Sequence, residues 1–350
     1  MSQPLKILFL RSAHSGDDER GGPEPSPDLA KMADMWTLLF DAVLARLPNA
    51  KGLIARVGRP YTVQYNDRLT EVRVPDLLAL SAWNPNAIID RGGYKEYLPI
   101  HAATPDAFRL YVGCGSRWNP RAVKWLQGVR YDMTLVDSPG QMEAMADEMS
   151  GAAGVVVFHK PAAETIFKPV DVPKRYHVVF ICHRDGTLNP HCHEEFKGIE
   201  WIAERIPDGL RVLRIGPRDE WFTRASKRLD VTVTGLIPRA HVPRWACQAE
   251  VGVVCDNGHK DSGPRVLPEF LAMDIPVIVR KTVRTDHWHC VPALAGKSVG
   301  EDPAEFVSAL AAIQGSLGSF RPRLVYDGRM SIGVAADRLA GLIERGAACR

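Results

Sequence analysis

The stretch DSGPRVLPEFLAMDIPVIV, residues 261–279, has the acidic residues Asp261 and Glu269 eight positions apart, the second on a short helical segment, and ends in an apolar run. A second apolar run, VGVVC at 251–255, precedes it. Continuous apolar runs on either side of a helix are typical of parallel strands that are covered by helices on both faces. Pro268 suits the first helical turn, where a backbone N–H has no partner within the helix. The stretch therefore predicts a strand, loop, helix and strand of a parallel α/β sheet.

The same pattern recurs along the whole chain. Short apolar runs alternate with segments long enough for a helix, which is the arrangement expected of doubly wound sheets. The first half is less regular than the second. The further runs are KILFL (6–10), GLIARV (52–57), NAIID (86–90), FRLYVG (108–113), DMTLVD (132–137), GVVVF (154–158), HVVFIC (177–182), RVLRIG (211–216) and VTVTG (231–235).

The length of 350 residues favours two domains, because a single core rarely grows to this size. The segment FKPVDVPKRY (167–176) has the composition of an exposed linker. We expect a first domain at 1–171, a second at 172–330, and a C-terminal helix at 331–350 that packs back on the first. The predicted fold is α/β, with two Rossmann-like, doubly wound parallel-sheet domains facing a central cleft at the carboxyl ends of their strands.

Charge and cysteine content restrict the class of protein. The net charge of +3 and pI near 8.4 are too modest for a nucleic-acid-binding surface, so no nucleic-acid partner is expected. The seven cysteines lack paired spacing, and several lie in apolar runs where a reduced thiol acts as a small hydrophobe. The N-terminal apolar run is too short for a signal peptide. We therefore expect a cytoplasmic protein.

The loop and helix at 256–272 offer groups that bind a phosphorylated ligand. The loop follows a predicted strand at its carboxyl end, and Gly263 allows close approach of the backbone to an anion. Glu269, on the helix, can accept two hydrogen bonds from a vicinal diol such as a ribose. Asp261 can do the same for a second hydroxylated ring.

Asp261 and Glu269, with seven residues between them and FLAMDIPVIV after them, resemble the acidic pair of the retaining GT-B glycosyltransferases (group 1, family four-like). In that family both acids are glutamates, so Asp261 is shorter by one methylene. The resemblance implies that Glu269 binds the nucleotide ribose and that Asp261 contacts the donor sugar. It also implies that the backbone at Gly263, Pro264, Arg265 and Val266 lies near the diphosphate.

Two cations match the same family. Arg184 in VVFICHRD and Lys197 in EEFKGIEWIAERI correspond to residues that meet the donor diphosphate. Fixed cations stabilise the charge that grows on a departing diphosphate, so the resemblance makes Arg184, Lys197 and Asp261 the catalytic candidates. It further implies that Gly216, Leu236 and Ile237 belong to the donor site, with the turn at 235–238 lining the nucleobase. Residues 159–169 are similar to the family's interdomain connector.

The acceptor side is expected at strand ends of the first domain. The candidates are Arg91 and Gly92 after NAIID, and Gly115 and Ser116 in YVGCGSRWNP. The family often has a histidine in the loop that corresponds to 111–120, which has none here; His101 is the nearby candidate, and its alternative role is structural.

Two further possibilities concern metals and membranes. The His- and Cys-rich segments 182–195 and 286–290 lack the paired spacing of zinc sites, and the family generally needs no divalent metal, so no metal cofactor is expected. A candidate peripheral membrane contact consists of basic residues interleaved with tryptophans; the alternative is an ordinary solvated helix edge. These residues are Arg117, Trp118, Arg121, Lys124, Trp125 and Arg130.

The resemblance implies a hexosyltransferase-type enzyme that moves a sugar, with retention, from a nucleoside diphosphate sugar such as a UDP-sugar to a hydroxyl acceptor. The acceptor would be a glycan, as in polysaccharide biosynthesis, a lipid-linked glycan or a natural product. The alternative is a nucleotide-binding or scaffold protein of the same fold without transferase activity, suggested by the shortened Asp261 and the missing first-domain histidine. An epimerase is disfavoured, because no acid and base groups are found in the first domain.

Overall fold

The computed structural model describes residues 4–11, 27–29, 34–92, 95–113, 128–137, 154–181, 199–217, 228–255, 265–281 and 294–350. The chain forms two compact units, Met1–His159 with Ile332–Arg350, and Lys160–Ser331. Each unit is built on a sheet whose strands are mainly parallel, as the apolar runs predict. The second unit begins ahead of the segment 167–176, at which the sequence places the boundary.

The first unit contains an eight-stranded sheet of order β3-β4-β2-β1-β5-β6-β7-β8. The β3 and β4 strands pair antiparallel, and the other neighbours pair parallel. The strands are β1 (Leu5–Leu10), β2 (Ala50–Val57), β3 (Tyr61–Gln64), β4 (Leu69–Val74), β5 (Ala87–Arg91), β6 (Phe108–Val112), β7 (Met133–Val136) and β8 (Val155–Val157). The helices of this unit within the described residues are α1 (Met35–Arg46), α2 (Leu98–Ala103) and α8 (Ile332–Ala348).

Helices cover both faces of this sheet. On one face, Phe9 of β1 stacks on Phe40 of α1 with ring centroids 5.1 Å apart. On the other, Leu8 and Leu10 pack in a cluster with Ile100 of α2. This alternation follows from the strand geometry, which directs successive side chains to opposite faces.

The second unit contains a six-stranded parallel sheet of order β11-β10-β9-β12-β13-β14. Counted from β9, this order is the 3-2-1-4-5-6 arrangement of the Rossmann fold. The strands are β9 (Tyr176–Ile181), β10 (Arg211–Ile215), β11 (Asp230–Val233), β12 (Ala249–Val254), β13 (Val277–Arg280) and β14 (Gly296–Val299). The helices in the described part of this unit are α3 (Ile199–Arg205), α4 (Val242–Ala246), α5 (Val266–Ala272), α6 (Pro303–Gln314) and α7 (Pro322–Arg329).

The α5 helix lies close to the sheet because β12 has a glycine beneath it. A Cβ at Gly252 would lie 2.7 Å from Cδ2 of Phe270, a buried ring of α5. Real Cβ atoms do not approach a ring this closely, so any larger residue must displace the helix. The position of α5 therefore depends on Gly252.

We expect Gly252→Ala to lower the free energy of unfolding by about 1–3 kcal/mol, because the added methyl overpacks the contact with Phe270. Urea denaturation followed by circular dichroism measures the change. Gly328→Ala in α7 is the matched control, since a Cβ there meets nothing within 4 Å. The control should be neutral or stabilising by up to about 1 kcal/mol. Equal effects of the two substitutions would contradict the packing argument.

Candidate functional site

The strand order of the second unit fixes where a ligand is expected. The strand order reverses between β9 and β12, which are neighbours in the sheet. Open α/β sheets bind ligands outside the carboxyl ends of the strands at such a switch point. Among the described elements α5 follows β12, so its side chains are candidates for contact with a ligand at this switch point.

Glu269 is the charged side chain that α5 buries. Glu269 is 5% exposed and lies among the buried apolar residues Leu267 and Phe270. A buried carboxylate is unfavourable unless it is paired. The pairing comes from Arg239, whose Nη2 donates to Oε1 of Glu269 at 2.5 Å.

Arg239 is itself held in place by two elements. It begins the 3₁₀ turn Arg239–His241, which follows the residues 235–238. Its guanidinium carbon lies 5.1 Å from the ring centroid of Phe167, a fully buried residue of the segment 159–169. A guanidinium above an aromatic face gains a cation–π contact. Arg239 therefore links the turn to the segment 159–169 and to α5.

The turn at 235–238 lies against the end of β10. Gly216, after β10, forms an isolated antiparallel bridge with Gly235, whose φ of 72° is in the region that favours glycine. Leu236 follows and is 57% exposed.

The structure thus connects Gly216, Leu236, Ile237 and Glu269 through the turn and Arg239. Arg265 directly precedes α5, and Val266 is its first residue. The other residues predicted on the donor side, Arg184, Lys197, Asp261, Gly263 and Pro264, lie outside the described residues.

A second group of charged side chains lies in the first unit, around Glu71 of β4. Glu71 is fully buried and accepts hydrogen bonds from the hydroxyls of Tyr61 at 2.6 Å and Tyr65 at 2.8 Å. The Nε of Arg56 on β2 lies 2.8 Å from Oε1 of Glu71. Burial, followed by the charge and hydrogen bonding of Glu71, raises the pKa of both tyrosines. Both hydroxyls therefore remain protonated donors at neutral pH.

The next ion pair joins the end of β1 to the start of α1. Arg11 donates from Nη1 and Nη2 to the two carboxylate oxygens of Asp34, at 2.6 and 2.9 Å. Asp34 caps α1 by accepting from the backbone N–H of Thr37 at 2.9 Å. Burial alone would raise the pKa of Asp34, but the charge of Arg11 and the Thr37 hydrogen bonds outweigh it, and the pKa falls well below its usual range.

The acceptor-side candidates fall on different faces of the first sheet. Arg91 ends β5 and its guanidinium lies 5.0 Å from the ring centroid of Trp36 on α1. His101 is buried on α2, and its Nε2 lies 3.1 Å from Oδ2 of Asp90. Because Asp90 and Arg91 are consecutive in a strand, they point to opposite faces. The structure therefore does not bring His101 and Arg91 together.

Gly92, with a φ of 104°, follows Arg91, while Gly115 and Ser116 lie outside the described residues. So do most of the candidate membrane contact (residues 117–125) and both His- and Cys-rich segments (182–195 and 286–290). Among the residues that the structure does describe, no three His, Cys, Asp or Glu side chains are grouped as metal ligands. Within the same ranges, no helix combines the length and apolar character needed to cross a membrane.

Sequence patterns did not identify several residues of the Glu269 group in the second unit and of the charged group in the first unit. These residues are Arg239, Arg11, Arg56 and Glu71. A signal for Arg239 was present, because it directly follows the Gly-Leu-Ile-Pro turn. A signal for Arg11 and Arg56 was an arginine at or near the carboxyl end of successive first-unit strands, as in KILFLR and GLIARV, whereas Glu71 lies in a strand that the apolar pattern does not reveal.

Comparisons with solved structures settle the fold. Sucrose-phosphate synthase from Thermosynechococcus elongatus is 15% identical, with a TM-score of 0.69 over 99% of this chain and 100% of that one. AviGT4, a glycosyltransferase involved in avilamycin A biosynthesis, is 16% identical, with a TM-score of 0.66 over 99% of each chain. Anabaena HepE, solved with UDP and glucose, is 11% identical, with a TM-score of 0.65 over 97% and 100%. The chain has the GT-B fold.

The GT-B fold agrees with the fold predicted from the sequence, two Rossmann-like parallel-sheet units. No protein-family model and no curated protein sequence matches the chain. At the identities of the solved structures, the shared property is the fold.

The depressed pKa of Asp34 makes a prediction about stability. Asp34→Asn keeps a capping oxygen but removes the charge opposite Arg11, and should lower the free energy of unfolding at pH 7 by about 1–3 kcal/mol. This difference in the free energy of unfolding is fully present above the pKa of aspartate in the unfolded chain, about 4. It shrinks as the pH falls from there through the lower pKa of Asp34 in the folded protein. Denaturation of both proteins between pH 7 and pH 3 measures it.

Asp337→Asn is the control for this experiment. Asp337 pairs with Arg46 but is 68% exposed in its side chain, so its removal should cost less than about 1 kcal/mol. An Asp34→Asn protein as stable as the wild type at pH 7 would show that the Arg11 pair contributes nothing.

Proposed function

We propose that the protein is a retaining glycosyltransferase that moves a hexosyl group from a nucleoside diphosphate sugar to a hydroxyl acceptor. The observation that carries the proposal is Glu269, a buried carboxylate held by Arg239 beside the switch point of a Rossmann sheet in a chain of the GT-B fold. Anabaena HepE was solved with UDP and glucose, and pneumococcal GtfA, an O-GlcNAc transferase of related fold, with UDP and GlcNAc.

On the donor side, the free carboxylate oxygen of Glu269 accepts the ribose hydroxyls, while Oε1 stays bonded to Arg239. Carboxylates accept several hydrogen bonds, so one residue can serve both partners. Leu236 and Ile237 cover the nucleobase, Asp261 contacts the donor sugar, and Arg184 and Lys197 balance the diphosphate charge. With these cations in place, the proposal needs no metal ion.

Transfer with retention proceeds on one face of the sugar. The acceptor oxygen attacks the anomeric carbon from the side on which the diphosphate departs. The bond between this carbon and the diphosphate oxygen breaks, a bond to the acceptor oxygen forms, and the acceptor proton passes to the departing phosphate. Arg184 and Lys197 would stabilise the negative charge that grows on the leaving group, which lowers the barrier in a site that excludes water.

The acceptor binds the first unit in this proposal, at the carboxyl ends of its strands. Polysaccharide or lipid-linked glycan is the proposed acceptor class, with a natural product as the alternative. A nucleotide-binding protein without transfer is the second candidate function, because Asp261 is shorter than the family's glutamate.

The proposal predicts that one nucleoside diphosphate among UDP, GDP, ADP and dTDP binds without added metal. Glu269→Gln should weaken this binding by about tenfold to a hundredfold, because hydrogen bonds to a charged group are worth about 1.5–3 kcal/mol. Isothermal titration calorimetry, with and without magnesium, measures the affinity.

Glu204→Gln is the matched control, since Glu204 is an exposed residue of α3 in the same unit. No binding of any of the four nucleotides would overturn the proposed function. Binding without release of sugar from the matching nucleotide sugar, in the presence of acceptor mixtures, would favour the second candidate function.

Arg239 provides a separate prediction about the ribose. If Arg239 orients the Glu269 carboxylate, Arg239→Gln should reduce the preference for UDP over 2′-deoxy-UDP by about tenfold. The reason is that a reoriented carboxylate no longer accepts a hydrogen bond from the 2′-hydroxyl. The corresponding pair of another base is used if UDP is not the nucleotide bound. The measured quantity is the ratio of the two dissociation constants.

Arg244→Gln removes the same charge from an exposed position five residues away, on α4, and should leave the ratio unchanged. An unchanged ratio in Arg239→Gln would mean that Glu269 needs no orientation by Arg239.

A further inference from the structure

The β3 strand forms one edge of the sheet in the first unit. It stands at the end of the strand order, and β4 is its neighbour among the described strands. In an antiparallel ladder, successive residues direct their backbone groups alternately toward the neighbouring strand and away from it. The N–H of Tyr65 donates to the carbonyl of Leu69 at 3.0 Å, so the odd-numbered residues of β3 face β4. The backbone N–H and carbonyl groups of Thr62 and Gln64 therefore point outward.

The sequence of β3 lacks the residues that usually protect an edge strand. An edge presents backbone donors and acceptors that another chain can pair with, and proteins commonly block it with charged side chains or proline. The strand Tyr61–Gln64 reads YTVQ and contains neither. Tyrosine, threonine and valine are instead residues that favour strands. The edge is therefore suited to the addition of a strand from another molecule.

Two tyrosines are held in fixed positions along this edge. Side chains alternate along a strand, so those of Tyr61, Val63 and Tyr65 share one face. Glu71 accepts a hydrogen bond from both hydroxyls, that of Tyr61 at 2.6 Å and that of Tyr65 at 2.8 Å. The guanidinium carbon of Arg73 lies 4.6 Å from the ring centroid of Tyr61. The three side chains on this face are partly exposed, and they form the pre-organised, tyrosine-rich surface that protein interfaces favour.

The edge is complementary to itself. A second copy, related by a two-fold axis through Val63, runs antiparallel to the first and places its Gln64 opposite Thr62. These are the residues whose backbone groups point outward, so each can exchange both hydrogen bonds with its counterpart. The same register places Tyr61 opposite Tyr65 of the second copy. Aromatic side chains that are directly opposite across two strands attract each other.

The charges at the two ends of the edge have opposite signs. Arg59 precedes the strand and Asp67 follows it, and both residues are exposed. Within the part of the chain that the structure describes, neither forms an ion pair. Arg68, next to Asp67, is directed to α1, where it donates to the carbonyl of Leu44 at 2.8 Å. A two-fold axis through Val63 brings Arg59 of each copy to the end at which Asp67 of the other copy lies.

We propose that the protein forms a homodimer in which the β3 strands of two copies pair antiparallel about a two-fold axis. The two eight-stranded sheets then continue into each other. A two-fold contact uses the same surface on both copies, and it is the commonest form of assembly among soluble proteins. The strands β4 and β2 lie between β3 and β1, so the contact leaves the switch point between β1 and β5 open. The dimer is therefore independent of the proposed function.

Removal of one outward backbone donor tests the pairing. Thr62→Pro deletes this N–H, and proline is tolerated on an edge strand where the N–H faces solvent. Thr62→Ala is the matched control, because it changes the same side chain and keeps the N–H. In sedimentation equilibrium of the full-length protein, the wild type and Thr62→Ala should approach twice the chain mass of 38.7 kDa as concentration rises. Thr62→Pro should raise the dissociation constant by about tenfold or more, since each dimer loses the bond twice.

Reversal of the end charges tests the register. Arg59 and Asp67 of one chain are separated by about 20 Å, because a strand rises about 3.3 Å per residue, so they meet across the dimer alone. Arg59→Asp and Asp67→Arg should each weaken dimerisation about threefold to tenfold, and the double variant should restore it. Arg338→Asp, the same reversal at an exposed position of α8, is the control and should have no effect.

Circular dichroism establishes that each variant is folded. If Thr62→Pro does not fold, the charge reversals at the exposed positions decide the question. The inference is overturned by a wild-type protein that keeps the mass of one chain at every concentration, or by a dimer that Thr62→Pro leaves intact. A double variant that dimerises no better than either single variant refutes the two-fold register. Assembly beyond two copies indicates a head-to-tail contact and also refutes the proposal.

Discussion

Parallel strand geometry is the constraint on which the rest of this structure depends. Parallel strands connected by helices all end at the same edge of their sheet, so residues that follow distant strands in the sequence become neighbours there. In the second unit this geometry places the turn at 235–238, which follows β11, next to the end of β10. In the first unit it puts Arg11, which follows β1, level with Arg91 at the end of β5. Both candidate binding regions are consequences of the same rule.

Both regions also contain buried ion pairs. A buried ion pair is often no more stable than the apolar residues that could replace it, because two charges lose their hydration. Glu269 with Arg239, and Glu71 with Arg56, occupy positions where an apolar pair would also fill the interior. In each case the carboxylate has further capacity to accept hydrogen bonds. Under the proposed function, the Glu269 pair serves the binding of the donor.

Sequence patterns predicted most of the sheet but less of the candidate site. Long apolar runs located β1, β2 and the strands from β5 to β13, since strands buried on both faces are continuously apolar. They missed β3, β4 and β14. In β4, the sequence LTEVRV carries a buried glutamate and an arginine that break the apolar pattern. Glu269 was identified from a family resemblance, whereas its partner Arg239 is thirty residues away and is revealed by the folded chain. Pairing across elements depends on tertiary contacts, which local patterns do not contain.

The course of the chain through the two units has a consequence for folding during synthesis. The second unit is continuous, from Lys160 to Ser331, and all of its strands leave the ribosome before α8 does. The first unit starts the chain, but α8 packs on its α1 and buries Leu339 and Ile343. N-terminal domains usually fold first as the chain emerges. Here the N-terminal sheet keeps part of its apolar surface uncovered until α8 has been made.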